Sequence, residues 1–307
     1  MVPGQRSFFV VNPVAAGGKT AKVWPKIEQE LNSLDLPFDF SFTEAPLHAT
    51  TLAREAVHRQ YETVVAVGGD GTVNEVLNGL MSPGAQRADA VLGVVITGRG
   101  SDLARTIGVP ADYSEACARL ADQRTMIVDL GLVTFYKEKE RRQRYFVNVG
   151  GGGFDAEVAH RANRAPNFMG GTIPYLTSLV TTLLSYRNKS VELVLDDQEP
   201  IRQVVNSVIV ANCQYFGGGM RVAPDADPND GLFDVIVIGD IDKVEFLMTV
   251  PKVYDGTHLS HPQVDTYRAR RVQVRSDSPL LLQVEGEVCG HTPLTFELIP
   301  QALQIRV

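Results

Sequence analysis

The chain has 307 residues, a formal net charge of −7 and an isoelectric point near 5.4. At about 150 residues per domain this length predicts two domains. Hydrophobic residues make up 44% and charged residues 21%, which is ordinary for globular proteins and argues against disorder or a fibrous repeat. Because an acidic surface lacks the positive field of a nucleic-acid binder, no nucleic-acid partner is expected.

The cysteine count indicates a reducing compartment. Cys117, Cys213 and Cys289 lie far apart in the sequence, so neither a disulfide framework nor a Cys-x-x-Cys metal site is expected. The most apolar helical segment, 173–184, is about 12 residues long, against the ~20 that span a bilayer. A cytoplasmic protein is therefore predicted, with peripheral contact at the inner membrane face left open.

The first 130 residues alternate apolar, strand-like runs with amphipathic, helix-like segments. Runs that are apolar on both faces suit buried strands, and helices between such strands imply parallel order. This pattern predicts a doubly wound α/β nucleotide-binding domain over residues 1–129. The predicted strands are Phe8–Val11, Phe38–Phe42, Val64–Val67 and Val91–Ile96, and the predicted helices are 21–34, 49–59, 73–81 and 113–120.

From Thr125 onwards short β-branched segments dominate, bounded by Gly, Pro, Asp or Asn. They predict a mostly antiparallel β-sandwich domain over 130–307, beginning with a hairpin whose tip is charged. Packing of residues 294–307 back onto the first domain is left open as an alternative. No flexible tether lies near the boundary, so the two domains are expected to pack across a cleft. Helical interruptions are expected near 154–163, 173–186 and 243–253, and strands at 191–197, 203–212, 231–240, 270–276, 280–287 and 295–300.

The strongest local signal is VVAVGGDGTVNEVLNGL at 64–80. A buried strand runs into Gly68-Gly69-Asp70-Gly71, and Thr72 and Glu75 have the spacing of a capping box. A glycine turn before a helix N-terminus predicts a phosphate site; the alternative is a tight turn that uses glycine for positive φ. Asp70 favours the phosphate site with a metal, because a carboxylate repels phosphate unless a cation lies between them.

Two further loops occupy equivalent positions after predicted strands, at 12–19 and 97–102. Open α/β sheets bind ligands at the carboxyl ends of their strands. Neither loop has the spacing of a Walker A motif. Three such loops at one edge predict a nucleotide, since a triphosphate needs several separate groups of donors.

Five motifs together resemble the diacylglycerol kinase catalytic-domain family of lipid kinases, which includes bacterial soluble diacylglycerol kinases and sphingosine and ceramide kinases. The GGDG loop alone is shared with NAD kinases and phosphofructokinases, and the later motifs favour the lipid kinases. The resemblance covers nearly the whole chain. Its motifs are NPVAAGGK (12–19), GGDGTVNEVLNGL (68–80), GGGFDAEV (151–158), GGGMRVAPDADPNDGLFDV (217–235) and VEGE (284–287).

The resemblance implies an ATP site, with Asp70, Asp102 and Asp129 helping to hold a catalytic Mg²⁺. In the third loop the family commonly has Gly-Thr-Gly-Asn-Asp where this chain has GRGSD, and Arg99 either clamps a phosphate or crowds the nucleotide. The complete candidate cofactor-binding set is Asn12, Pro13, Val14, Ala15, Ala16, Thr43, Gly68, Gly69, Asp70, Gly71, Thr72, Asn74, Glu75, Thr97, Arg99, Asp102 and Asp129.

A second, structural Mg²⁺ is implied in DPNDGLFDV, held by Asp227, Asp230 and the backbone carbonyl of Leu232. Oxygen ligands on a turn suit this cation. The alternative is a plain Asp/Asn/Gly turn without metal.

The candidate catalytic residues are Glu287, Glu285 and Asp70, with Glu287 the first choice as proton acceptor. The family usually has aspartate at the position of Glu285. If the strand over 280–285 continues, both glutamates point to the same face, and one should have a raised pKa or a cationic partner. The alternative is an exposed hairpin turn with two solvated glutamates.

The predicted function is ATP- and Mg²⁺-dependent transfer of a phosphoryl group to a lipid hydroxyl, with diacylglycerol as the first choice of substrate. Alternatives are a kinase for a sphingoid base, ceramide or phosphatidylglycerol, and a non-catalytic nucleotide or lipid sensor. The expected partner is a lipid presented at a membrane surface, and a homodimer is left open. The apolar stretch 168–184 lines an acyl groove, dips into a membrane interface or packs in the core. Arg141, Arg142 and Arg144, with Arg268, Arg270 and Arg271, form a basic patch facing anionic lipid head groups, or the first three belong to a solvated hairpin.

Overall fold

A computed structural model describes residues 6–98, 101–162 and 172–307. The chain divides into two compact units. The N-terminal unit runs to Leu130 and takes in Ile299–Val307, and the C-terminal unit is Gly131–Leu298. Arg99 and the first part of the apolar stretch at 168–184 lie outside the described residues.

The N-terminal unit contains the predicted parallel sheet. Its strands are ordered β2-β1-β3-β4, with the end of β15 beside β4. Its elements are β1 (Ser7–Val11), α1 (Ala15–Ser33), β2 (Phe38–Phe42), α2 (His48–His58), β3 (Thr63–Gly68), α3 (Asp70–Leu80), β4 (Val91–Ile96), α4 (Asp102–Ile107), α5 (Tyr113–Asp122) and the start of β5 (Thr125–Lys137).

Apolar strand and helix faces form the core of this unit. Phe9 and Val65, from β1 and β3, pack with Trp24, Ile27 and Leu31 of α1, and each is at most 3% exposed. This burial is why both strands are apolar on their two faces. The α/β class is confirmed.

The C-terminal unit is the predicted antiparallel β structure. One run of strands has the order β12-β11-β10-β7-β14-β15, and a second run joins β9, β8 and β13 to the same β15. Its elements are β6 (Glu140–Phe146), β7 (Val149–Gly153), α6 (Phe154–Ala162), α7 (Thr172–Ser185), β8 (Lys189–Leu195), β9 (Ile201–Val205), β10 (Ser207–Ala211), β11 (Phe233–Ile238), α8 (Lys243–Thr249), β12 (Val264–Ala269), β13 (Arg271–Ser276), β14 (Leu281–Val284) and β15 (Glu287–Arg306), with 3-10 turns at Val250–Val253 and Thr257–Ser260.

Aromatic side chains fill the core of the C-terminal unit. Phe146 stacks on Phe233 with ring centroids 5.8 Å apart and meets Phe296 edge-on at 6.0 Å. All three are fully buried among β-branched and leucine side chains. The β-sandwich class is confirmed.

The strand predicted over 203–212 is wrong, because two strands meet at Asn206. The backbone N–H of Asn206 bonds to the carbonyls of Ile238 and Gly239, and its own carbonyl accepts from Phe154 N at 3.0 Å. These hydrogen bonds lie outside the regular pairing between neighbouring strands, so β9 ends before Asn206 and β10 begins after it.

Strand β15 contributes to both units. Its first part pairs with β13 and β14 in the C-terminal unit, and Ile305 lies beside Leu92 of β4 in the N-terminal unit. Within the described part of the chain, the search for a helix both long and apolar enough to cross a bilayer finds none.

Candidate active site

The three glycine-containing loops of the N-terminal unit follow β1, β3 and β4, at the carboxyl edge of its parallel sheet. The chain order reverses between β1 and β3, which is where open α/β sheets bind ligands. Asn12 Nδ2 donates to Thr72 Oγ1 at 3.0 Å, and Thr20 and Thr97 share a hydrogen bond of 2.6 Å between their hydroxyls. The first loop is therefore tied to each of the other two.

The first loop turns sharply before its helix becomes regular. Ala16, Gly17 and Gly18 have φ values of 53°, 67° and 84°, in the left-handed region. Asn12 Oδ1 accepts from Val14 N at 3.2 Å and holds the start of the turn. The irregular helix thus begins at Ala15, six residues before the predicted start.

Asp70 joins the second loop to the third. Ser101 Oγ donates to Asp70 Oδ1, and Asp102 N donates to Oδ2 at 3.3 Å. Burial raises the pKa of Asp70, and the nearby Asp102 carboxylate adds to this, against the opposing effect of Ser101. Two neighbouring carboxylates in a partly buried site fit a divalent cation, whose charge would stabilise both in ionised form.

The backbone of the second loop packs directly on the start of α3. A Cβ at Gly68 would lie 2.5 Å from Thr72 Oγ1, so any side chain there displaces Thr72. Gly69 has φ −116°, which other residues adopt readily. Close packing on Thr72 therefore explains the glycine at 68, whereas neither close packing nor positive φ explains Gly69.

The predicted capping box is wrong. Helix α3 begins at Asp70 with Gly69 as its N-cap, so Thr72 lies inside the first turn and its hydroxyl accepts from Asn12. Glu75 Oε2 instead accepts from Ala49 N at 3.2 Å, at the start of α2. Glu75 stabilises the contact of two helices, and its place in the nucleotide site stays a prediction.

The remaining candidates of this unit occupy separate positions. Thr43 follows the edge strand β2, where its N–H donates to Val11 O at 2.8 Å. Asp129 is fully buried on β5 and accepts from Gln301 N at 2.7 Å. One hydrogen bond of Asp129 is therefore to the returning end of β15.

The VEGE motif of the C-terminal unit is a two-residue hairpin turn between β14 and β15. Val284 and Glu287 are paired, and Glu285 and Gly286 have φ values of 53° and 80°. Such turns require positive φ at both central residues. The continuous strand is wrong, and so is the common face that it implied for the two glutamates.

Each glutamate of this turn has its own partner. Glu285 Oε1 accepts from Val147 N at 3.0 Å and from Asn148 N at 2.8 Å. Glu287 Oε2 lies 2.7 Å from Arg144 Nη2, which supplies the predicted cationic partner. The alternative of two solvated glutamates is therefore also wrong. Glu285 fastens the hairpin to the backbone after β6, and Glu287 forms an ion pair with Arg144.

Arg144 does not belong to a solvated basic patch. Its side chain is 16% exposed and contacts Glu287 and Cys289, with Nη1 3.4 Å from Cys289 Sγ. Burial opposes the charged form, yet the pKa of Arg144 is raised, because Cys289 and Glu287 favour the cation. Arg144 is thus a permanent positive charge beside the candidate base.

The acidic turn at 227–232 holds its own shape. Asp227 Oδ1 accepts from Asn229 N at 3.1 Å, Asp230 Oδ1 accepts from Leu232 N at 3.0 Å, and Arg268 forms an ion pair with Asp230. Burial raises the pKa of Asp234 to about 6, against the pull of Arg268. The negative charge of these carboxylates would attract a metal ion, but the guanidinium of Arg268 already supplies a positive charge at Asp230.

A search of the described residues finds no group of three or more His, Cys, Asp or Glu side chains placed to hold a metal ion. The assignment of Asp227, Asp230 and Leu232 as ligands stays a prediction.

The C-terminal unit also contains an apolar cavity. Its volume is about 100 Å³. Helices α6, α7 and α8 and the sheet beneath them contribute its walls. The apolar lining includes Phe154, Val158, Leu179, Ile209, Phe246 and Val253.

Comparison with known proteins gives two family matches that together cover most of the chain. Residues 6–133 match the diacylglycerol kinase catalytic domain, and residues 148–307 match the YegS C-terminal NAD kinase beta sandwich-like domain. A diacylglycerol kinase of Bacillus subtilis is 30% identical over 267 residues, covering 84% of this chain and 84% of that protein.

The chain belongs to the diacylglycerol kinase catalytic-domain family. A diacylglycerol kinase of Mycobacterium tuberculosis is likewise 30% identical, over 84% of this chain and 80% of that protein. This kinship makes the protein a lipid kinase, and the resemblance read from its motifs is confirmed.

Solved structures agree with the fold of this lipid kinase. A putative diacylglycerol kinase from Bacillus anthracis superposes with a TM-score of 0.78 at 22% identity, covering 100% of this chain and 96% of that chain. An NAD kinase from Archaeoglobus fulgidus in complex with ATP superposes with a TM-score of 0.55 at 16% identity, covering 99% and 94%. Both likenesses concern the fold alone.

Two contacts of this kinase are absent from the sequence-based site. Ser101, which donates to Asp70, occupies a position where the family commonly has asparagine. This difference from the family motif could have indicated that Ser101 belongs to the site. Arg144, the partner of Glu287, gave no local signal, because 143 residues separate the two.

Proposed function

We propose that this protein uses ATP and Mg²⁺ to phosphorylate the free hydroxyl of diacylglycerol, forming phosphatidic acid. The observation that carries the proposal is Asp70, a carboxylate held where three glycine-containing loops are joined by side-chain hydrogen bonds. The ATP complex of the Archaeoglobus fulgidus NAD kinase, which shares the fold, supports ATP as the donor.

The loops would bind and orient the triphosphate. In the first loop the N–H groups of Ala15 and Gly18 donate to Asn12 O and Val14 O. The backbone N–H groups at 16–17 and at the start of α3 are suited to phosphate oxygens. Asp70 and Asp102 would hold the cation, and a bound Mg²⁺ would neutralise charge developing on the phosphate oxygens. Because phosphoryl transfer has a loose transition state, positioning and charge neutralisation account for most of the catalysis.

Glu287 is proposed as the group that accepts the proton of the lipid hydroxyl. A general base must be positioned at the proton that it removes, and Arg144 Nη2 at 2.7 Å holds the Glu287 carboxylate in place. The side chain of Glu287 is 43% exposed, so a substrate can reach it. Glu285 is engaged by two backbone amides and has a structural part in this proposal.

The choice of diacylglycerol rests on two supports. The relatives at 30% identity are named diacylglycerol kinases, and the apolar cavity of the C-terminal unit offers a place for hydrocarbon chains. Apolar side chains from three helices make up most of its lining, although Asp155 and Thr249 also line it.

The proposed function is tested by incubating the purified protein with radiolabelled ATP, MgCl₂ and a panel of acceptors. Dioctanoylglycerol, sphingosine, ceramide and phosphatidylglycerol are presented in detergent micelles, and NAD⁺ is added in solution. We expect label in phosphatidic acid at a kcat/KM at least tenfold above any other acceptor. Preferential labelling of another lipid would show that this lipid, not diacylglycerol, is the substrate. Labelling of NAD⁺ instead of a lipid would contradict the proposed function.

We further propose that α7 and α8 touch the membrane that supplies the substrate. Leu184, Val244, Leu247 and Met248 are between 45% and 72% exposed, although they are apolar. Lys243 Nζ donates to Leu184 O at 2.6 Å, so the two helix ends are adjacent. The opposite face of α8 lines the apolar cavity, which places the exposed residues beside the proposed lipid site.

This contact predicts flotation with neutral phosphatidylcholine vesicles that persists in high salt, because its driving force is hydrophobic. Leu247→Ser with Met248→Ser should reduce the bound fraction at least fivefold, while activity on short-chain diacylglycerol in micelles stays within threefold. Leu47→Ser, at an exposed apolar residue of the N-terminal unit outside the candidate nucleotide site, is the matched control. Flotation equal to wild type in the double variant would contradict the proposal.

A further inference from the structure

A pocket rich in arginine lies on the C-terminal unit and includes Arg141 and Arg271 of the predicted basic patch. Its volume is about 310 Å³. Strands β5, β6, β13 and β15 supply its lining, which includes Arg141, Arg271 and Arg275 as cations and Glu297 as the acidic member. The charged side chains of the pocket thus carry a net charge of +2, whereas the whole protein has a formal net charge of −7.

Strand geometry explains why these cations meet. Along β13, Arg271, Gln273 and Arg275 point to one face and Val272 and Val274 to the buried core, because side chains alternate along a strand. Glu297 of β15 is paired in register with Arg271.

The neighbouring strands present the same face. Tyr136 of β5 is in register with Arg141 of β6, and β5 pairs with β15. The polar face therefore runs unbroken across four adjacent strands, and a rigid sheet fixes the spacing of its donors.

The cations of the pocket are weakly paired by the acidic side chains around them. Arg271 Nε lies 3.8 Å from Glu297 Oε1, and Arg275 Nη1 lies 3.7 Å from Glu192 Oε1. Both distances exceed those of a hydrogen bond. Glu192 is already neutralised by Arg202, which donates to it from Nε at 3.0 Å and from Nη2 at 2.8 Å.

Arginine and hydroxyl donors around a concave surface are suited to tetrahedral oxyanions. Guanidinium groups bind phosphate oxygens in pairs of charge-assisted hydrogen bonds. Tyr136, Gln273 and Thr295 add neutral donors in the same lining. We propose that this pocket is a binding site for a phosphate group, carried by a phospholipid headgroup or by a free phosphate.

The site differs from the nucleotide loops in position and in chemistry. All of its lining residues belong to the C-terminal unit, whereas the loops belong to the N-terminal unit. Arginine side chains would bind phosphate in this pocket, whereas backbone N–H groups and a metal ion would bind it in the nucleotide loops. Loss of the proposed kinase activity would therefore leave this inference standing.

The test measures phosphate binding to the full chain in low salt, with saturating ATP and Mg²⁺ present to fill the proposed nucleotide site. One arm titrates inorganic phosphate by calorimetry. The other measures flotation with phosphatidylcholine vesicles containing 10% phosphatidic acid, relative to phosphatidylcholine alone. The variants are Arg271→Gln with Arg275→Gln, and Glu297→Gln alone.

The double arginine variant should weaken phosphate binding at least tenfold in one or both arms, because two charged donors are lost. Glu297→Gln should strengthen it, since the carboxylate competes with phosphate for Arg271. A control of equal charge change, Arg54→Gln with Arg124→Gln in the N-terminal unit, should stay within twofold of wild type.

The two arms separate the sources of the phosphate. An effect confined to vesicles assigns a headgroup, and an effect on inorganic phosphate assigns a soluble ligand as well. Absence of binding by the wild type in both arms overturns the proposal. So does an affinity that the double arginine variant leaves unchanged, or one that the N-terminal control lowers equally. These variants change exposed side chains, so their melting temperatures should match wild type and confirm that they fold.

Discussion

Asp70→Asn should abolish phosphoryl transfer and leave the fold intact. The carboxylate is placed to position a cation, and losing that cation removes several kcal/mol of transition-state stabilisation. At about 1.4 kcal/mol per tenfold, this is a fall in kcat of at least ~10³. The rate is measured at saturating ATP and diacylglycerol over a range of MgCl₂ concentrations.

The stability of the same variant separates chemistry from folding. Burial raises the pKa of Asp70, so the folded protein holds this carboxylate at a cost, and asparagine should keep or raise the melting temperature. Asp122→Asn, an exposed carboxylate of the same unit, is the matched control and should keep full activity. More than a tenth of wild-type activity in Asp70→Asn at saturating Mg²⁺ would contradict the role given to Asp70.

Glu287→Gln should lower kcat by ~10²–10⁴, the usual contribution of a general base, with little change in the KM for ATP. The amide keeps the size of the side chain and a hydrogen-bond acceptor for Arg144, but it cannot take up a proton. The measurement is steady-state kinetics with diacylglycerol varied at fixed ATP, and then ATP varied at fixed diacylglycerol.

Glu285→Gln provides the contrast within one turn. It should lower the melting temperature, because an amide oxygen replaces a carboxylate that accepts from two backbone N–H groups. Glu199→Gln, at an exposed residue of the same unit, is the control for a change of charge alone and should keep full activity. If Glu287→Gln stays within threefold of wild type while Glu285→Gln is inactive, the two roles are exchanged.

Local features of the active site could be predicted from the sequence. The run into Gly68 and Asp70 combines a buried strand, small residues and a helix start within a few positions. Strand, turn and helix were therefore located correctly, and their common sheet edge followed from parallel order.

Contacts between distant segments could not be predicted in the same way. Ser101 reaches Asp70 across 31 positions, and Arg144 reaches Glu287 across 143, so neither pair leaves a local pattern. The turn at Glu285 was missed for a different reason: a glutamate with positive φ is uncommon, and asparagine or aspartate would have signalled the hairpin.

The path of β15 has a consequence for the order in which the protein folds. Ala302, Leu303 and Ile305 are fully buried in the N-terminal unit, where Val307 N donates to Arg124 O at 3.2 Å. During synthesis the first 130 residues leave the ribosome long before these partners exist. The nucleotide-binding half must therefore wait as an incomplete sheet with an open edge beside β4 until residues 299–307 pair there. Removing the residues after Ile299 would consequently damage the half that was made first.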